Sequence, residues 1–182
     1  SLSTTSTDGA TPAYLAAAFG QEACLRVLHE LGAGATLTVA DKRGRVPAHA
    51  AAGRGHGACL RVLHELGAAA TLSSAAANSN NWTPAHLAAQ GGHEACLRVL
   101  HELGAGDTLS AGDKRGWAPA YYAAREGHDG CLRTLHELGA GESLSTTSTL
   151  GKTPAHLAAA YGQEACLRVL HELGAAATLS SA

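Results

Sequence analysis

ACLRVLHELGA occupies residues 23–33 and returns unchanged at 58–68, 95–105 and 165–175, with a near copy, GCLRTLHELGA, at 130–140. Pro-Ala pairs at Pro12, Pro47, Pro84, Pro119 and Pro154 are 35, 37, 35 and 35 residues apart, and Cys24, Cys59, Cys96, Cys131 and Cys166 keep the same intervals. A period of this length is the mark of a solenoid, in which each unit packs only on its neighbours. The 182 residues divide into units of roughly 1–34, 35–69, 70–106, 107–141 and 142–182, forming one array.

Each string holds a cysteine and, five residues on, a histidine, which raises the question of metal or thiol chemistry. On a helix two such side chains lie about 140° apart in azimuth, so Cys24 and His29 cannot share a metal. Cys24, Leu25, Val27, Leu28 and Leu31 form one apolar arc with the cysteine near its centre. Equivalent cysteines on neighbouring helices are expected about 8–10 Å apart, beyond disulfide reach. The favoured reading is a ladder of small buried hydrophobes. Free thiols point to a reducing, intracellular and cytoplasmic setting, although a processed N-terminus leaves secretion open.

Local rules outline one unit. Thr11-Pro12 supplies an N-cap and a first-turn proline for a short helix to about Phe19, which Gly20 breaks. A second helix runs from Glu22 to Leu31, with Glu22 and Arg26 spaced for an i,i+4 pair and Gly32 as its stop. The polar, turn-rich stretch 35–47 carries DKRG at its tip. Units two and four have Val46 and Ala118 in place of the threonine cap, a loss that costs about 0.5–2 kcal/mol.

TPAHLAA at 83–89 and 153–159, GGHEACLRVLHELGA at 91–105 and the DKRG tips together resemble the ankyrin repeat. The resemblance extends over essentially the whole chain. It implies an all-α, ankyrin-type solenoid of helix-turn-helix units joined by extended β-hairpin loops. It further implies a non-catalytic scaffold that grips a protein partner with hairpin tips and the inner face of the first helices. The chain departs from the family pattern by alanine after each proline, by histidine where HELGA usually begins with leucine, and by longer loops, the second-to-third being the longest.

Composition narrows the alternatives. A net charge of −2 gives no general field for nucleic acid or an anionic membrane, and no apolar run approaches the roughly 20 residues that span a bilayer. Every histidine falls into register: His49, His86 and His156 after Pro-Ala, His56, His93 and His128 opening the second helix, and His29, His64, His101, His136 and His171 in a column. No catalytic set, metal set or cofactor motif is left over. The column is expected to be packing, partly buried and resistant to protonation; a pH sensor is the competing reading.

In a solenoid the framework repeats and the binding surface varies. The residue after the tip reads Ala10, Arg45, Trp82, Trp117, Lys152; the end of the first helix reads Phe19, Arg54, Gly91, Glu126, Tyr161. Trp82 and Trp117 flanked by cations form a candidate hot spot, the competing reading being that each indole packs on the neighbouring loop. Arg43, Arg115 and Arg125 make this face basic and point to an acidic or phosphorylated partner. Asn81-Trp82-Thr83 fits a glycosylation acceptor, but Asn81 occupies the tip's glycine position, where a left-handed backbone is expected.

The ends lack polar caps. SLSTTST at 1–7 returns at 143–149, and AFGQEACLRVLHELGA returns as AYGQEACLRVLHELGA, an offset of 142 residues. An alternative role is therefore a structural subunit that associates head to tail into a longer array or filament.

Overall fold

The computed structural model describes residues 2–75 and 80–174; the end of the fifth unit and residues 76–79 of the longest loop lie outside this range. The described residues form ten α-helices in five pairs. The first helices are α1 (Pro12–Ala18), α3 (Pro47–Gly53), α5 (Pro84–Gln90), α7 (Pro119–Glu126) and α9 (Pro154–Ala160). The second helices are α2 (Glu22–Leu28), α4 (Gly57–Leu63), α6 (Glu94–Leu100), α8 (Asp129–Leu135) and α10 (Glu164–Glu172). First helices pack on first helices and second on second, so the two rows run side by side along an array of nearest-neighbour contacts.

Helices this short are unstable alone, and packing must hold them. Their ends are well defined: the Thr11 hydroxyl accepts the Tyr14 N–H at 3.0 Å in front of Pro12. Alanine at positions such as Ala13, Ala17, Ala48, Ala85, Ala120 and Ala155 is almost fully buried, which lets the first row pack closely. Leu60, Leu97, Leu132 and their equivalents fill the space between the rows as one continuous core.

The extended hairpin arms are not present among the described residues, which contain no strand. After each of the first four second helices the chain passes through a left-handed glycine, Gly32 at φ 80° in the first unit, and enters a short 3-10 turn, Gly34–Leu37 in that unit. The Thr36 hydroxyl bonds the Ala33 carbonyl at 2.6 Å and Leu37 is buried beneath it. Thr71, Thr108 and Ser143 repeat this arrangement. Hydrogen bonding thus turns the polar stretch inward instead of extending it. The tips still stack: Lys42 N–H bonds Asp8 O, Lys114 N–H bonds Asn80 O and Thr149 N–H bonds Arg115 O.

Three further expectations change. Arg26 does not pair with Glu22; it reaches Glu65 of the next unit at 2.6 Å, and Arg61–Glu102, Arg98–Glu137 and Arg133–Glu172 continue the ladder at 2.5, 2.7 and 2.7 Å. The inter-unit partner lies beside the guanidinium along the row, whereas Glu22 belongs to its own helix. Cys59, Cys96, Cys131 and Cys166 are buried, whereas Cys24, in the first unit, is exposed. The column histidines, from His29 to His171, are exposed on the outer side of the second row.

Candidate functional site: the tip and inner-helix face

In units one, two, four and five the tip is organised by one side chain six residues before the proline, Ser6, Asp41, Asp113 or Ser148. Asp41 Oδ1 accepts the N–H groups of Arg43 and Arg45, both at 2.9 Å, and its Oδ2 takes the Arg45 guanidinium at 2.7 Å. Burial alone would raise the Asp41 pKa; the bonds from Arg45 and Arg43 hold it below the usual carboxylate value. Asp113 does the same for the fourth tip, accepting Arg115 N–H and Trp117 N–H, while Ser148 serves the fifth. Asn81 has φ 56°, the left-handed backbone its tip position demands.

The histidines after Pro-Ala link neighbouring units. His49 Nδ1 accepts the Val46 N–H, and Nε2 lies 2.9 Å from the Trp82 carbonyl one unit ahead. His86 bonds Thr83 and, at 3.0 Å, the Trp117 carbonyl. Burial pushes the His49 pKa down to about 4 and lowers that of His86. In unit four Tyr121 takes this role, donating its hydroxyl to the carbonyls of Thr146 and Lys152.

This framework buries one of the two tryptophans. Trp117 is 9% exposed and packs with Ala118, Tyr121, Tyr122 and Leu157 in a second core, against which the half-buried Trp82 rests. The Trp117 and Tyr121 rings are stacked 5.9 Å apart, and Trp82 meets Tyr122 edge-on at 4.7 Å. The Trp82 indole N–H and the Tyr122 hydroxyl both donate to Asp113 Oδ2, at 3.2 and 2.6 Å. Trp117 therefore cannot serve as an open anchor: its indole face is occupied from within the chain. Trp82 shows a partner only part of its ring.

The other candidate residues divide by position. Arg54 is exposed and lies 5.0 Å over the Phe19 ring; Arg45 lies 5.6 Å over Tyr14. Arg45 and Arg54 line the same notch, of about 250 Å³, with Tyr14, His49, Ala50 and Leu87. Arg115 lies 5.5 Å from the Trp117 ring, while Arg125 covers Tyr122 and is neutralised by Glu126 at 2.6 Å. Arg43, Arg54, Arg115 and Lys152 have no ion pair among the described residues. Lys152 and Tyr161 are exposed in the fifth unit and do not reach the notch.

The notch exists because Ala50 stands where Leu15, Leu87, Tyr122 and Leu157 stand in the other units. Tyr122 fills this register position in unit four with an aromatic ring, whereas Ala50 leaves it open in unit two. The sequence signals were the alanine itself and the paired aspartates Asp41 and Asp113, none of which stands out until the cross-unit contacts are known.

Family comparison agrees with this architecture. A family model described as "Ankyrin repeats (3 copies)" matches residues 67–145 and 108–180, and one described as "Ankyrin repeats (many copies)" matches 13–64. The chain belongs to the ankyrin repeat family. Ankyrin repeats generally mediate protein–protein interaction, and proteins built from them are typically non-catalytic scaffolds. No curated protein matches the chain. No helix among the described residues is long and apolar enough to cross a membrane, and no cluster of three or more His, Cys, Asp or Glu side chains there could hold a metal ion.

Proposed function

We propose that this ankyrin array is a non-catalytic scaffold that binds an acidic segment of a protein partner across its tips and inner helices, with the Ala50 notch as the anchor point. The supporting observation is the notch itself: about 250 Å³ of space on the variable face, walled by Tyr14 and Leu87 and bordered by Arg45 and Arg54. Concave sites with apolar walls and a few placed polar groups are where ligands gain most from burial. Arg45 is held in place by Asp41, and Arg54 is ordered over Phe19 without an acid partner among the described residues. Such a guanidinium suits a carboxylate or phosphate, which it can bind through two parallel hydrogen bonds. Arg43 and Arg115 extend the basic face along the tips. The reading uses Trp82 as a partial contact and assigns Trp117 to the core.

Ala50→Leu tests it. Leucine is the native residue at this register in units one, three and five, so the variant fits the fold and fills the notch. Proteins captured from a cell extract by the immobilised wild-type chain, and identified, are expected to lose affinity for A50L and for R54E. Dephosphorylating the captured partner separates a phosphate contact from a carboxylate one. Equal affinity of wild type, A50L and R54E would overturn the proposal. End-to-end stacking, the alternative role, uses the end faces of the array and leaves this face open.

A further inference from the structure

The notch beside Ala50 has a filled counterpart inside the same chain. Ala50 and Gly53 stand three residues apart on α3, so both face the notch that Leu87 of unit three also lines. The same two registers in unit four are Tyr122 and Arg125. There the Tyr122 ring meets Trp82 and His86 of unit three edge-on, at 4.7 and 5.9 Å, and the Arg125 guanidinium lies 5.4 Å from its centre. Unit four thus covers its own site with a ring and a cation. Unit two has neither side chain at those registers.

The surroundings of the empty position match those of Tyr122. Tyr14 of unit one holds the register of His86 and lines the notch as an aromatic wall, while Ala10, at the register of Trp82, brings no ring of its own. Two guanidinium groups stand in for that of Arg125. Arg45 is fixed 2.7 Å from Asp41 and lies 5.6 Å over Tyr14, and Arg54 is exposed at the rim. A Cβ added at Gly53 would come within 3.3 Å of the Leu87 Cβ, so glycine is what lets this wall stand so close. Units one and three border the notch on its two sides, so its shape is set within the array.

We propose that the partner side chain seated in the notch is a tyrosine of the acidic segment, its ring entering as that of Tyr122 does in unit four. This rests on the acidic-segment reading above and adds the identity of the anchor. A leucine would fill the space, as Leu87 and Leu157 occupy this register in their own units, but it gains nothing from the guanidinium groups. An aromatic ring gains from the edge-on contact with Tyr14 and from the cations beside it. Carboxylates next to the tyrosine pair with Arg54 at the rim, which has no ion pair among the described residues. The tyrosine is unphosphorylated. In unit four the hydroxyl ends on Asp113, whose counterpart Asp41 stands behind Arg45 and already neutralises it. A hydroxyl there meets a balanced ion pair, whereas a phosphate would meet the field of a carboxylate.

Titrating short acidic peptides into the isotope-labelled full chain, at millimolar concentration and read by amide chemical shifts, tests this. The probes are acetylated, amidated Glu-Glu-Tyr-Glu-Glu, its leucine and alanine analogues, and its phosphotyrosine form. The tyrosine peptide is expected to shift the Ala50 and Gly53 amides and to bind about three- to tenfold tighter than the leucine peptide. The phosphotyrosine form is expected to bind no tighter than the tyrosine form. A50Y copies Tyr122 into the notch, circular dichroism verifies its fold, and it is expected to lose the preference for tyrosine. Equal affinity of the tyrosine, leucine and alanine peptides for the wild type would overturn the proposal. So would tighter binding of the phosphotyrosine form, or a tyrosine preference that survives in A50Y. If the peptides bind equally and R54E loses them all, the acidic-segment reading stands and only the tyrosine anchor falls. If none of them shifts the α3 amides, both fall.

Discussion

His86 joins two units through one ring: its Nδ1 lies 3.1 Å from the Thr83 N–H of its own unit and its Nε2 lies 3.0 Å from the Trp117 carbonyl of the next. The neutral imidazole does both at once, accepting at one nitrogen and donating at the other. His49 repeats the arrangement, and Tyr121 replaces it with a hydroxyl. Cohesion along the array therefore rests on directional bonds as well as on the leucine seam.

Removing that link should be costly. His86→Ala leaves a buried N–H and a buried carbonyl without their partner, and each unsatisfied group costs about 1–3 kcal/mol. Urea denaturation should show a fall of several kcal/mol. An unchanged midpoint would mean that water replaces the ring without loss.

Acid should weaken the fold through His49. The unfolded chain takes up the proton near pH 6.5, while the folded ring resists it down to about 4. Between those values the unfolded state binds more protons, so stability falls as pH drops through the window and is fully present above it. The loss is about 3 kcal/mol, at 1.36 kcal/mol per pH unit of separation. Unfolding midpoints measured from pH 7.5 to 4 check this, and His49→Gln should flatten the dependence.

Glycines before the second helices should differ by position. Gly55 has φ +81°, and a Cβ there would stand 2.8 Å from His93 Nδ1; Gly162 has φ +71° with nothing within 4 Å. Both alanine variants bear the left-handed penalty of about 1–2 kcal/mol. Gly55→Ala should cost more, because the His93 ring must move as well. Equal losses in thermal unfolding would show that the ring gives way freely.

Trp117 should behave as a core residue with one defect. Its buried indole N–H has no hydrogen-bond partner among the described residues. Trp117→Ala should cost about 3–5 kcal/mol. Trp117→Phe, which removes the orphan donor and keeps a ring, should cost far less. Comparable losses for the two variants would mean that the indole's size, and not its aromatic packing, holds the cluster.

The repeat made much of the fold legible. A fixed Pro-Ala beat, a threonine or aligned substitute before it and a glycine stop after HELGA are local signals, and local signals survive in a solenoid because each unit is small. What escaped was relational. Arg26 chose Glu65 over Glu22 because the neighbouring unit stands beside it, and no spacing within one helix shows that. Thr36 and Leu37 looked like a polar arm until their bonds to Ala33 and the core were visible. Trp82 and Trp117 looked like a binding pair because they vary, but Tyr121, Tyr122 and Asp113 vary with them, bury Trp117 and hold one side of Trp82. Ala50 carried the opposite message: a small residue in a column of large ones leaves a space.

Hydrogen–deuterium exchange with a captured partner tests the binding face most directly. Binding across the notch and tips predicts added protection in peptides covering 42–54 and 112–118, with the exposed outer side of the second helices unchanged. Protection confined to the second helices, with 42–54 exchanging as in the free chain, would contradict it.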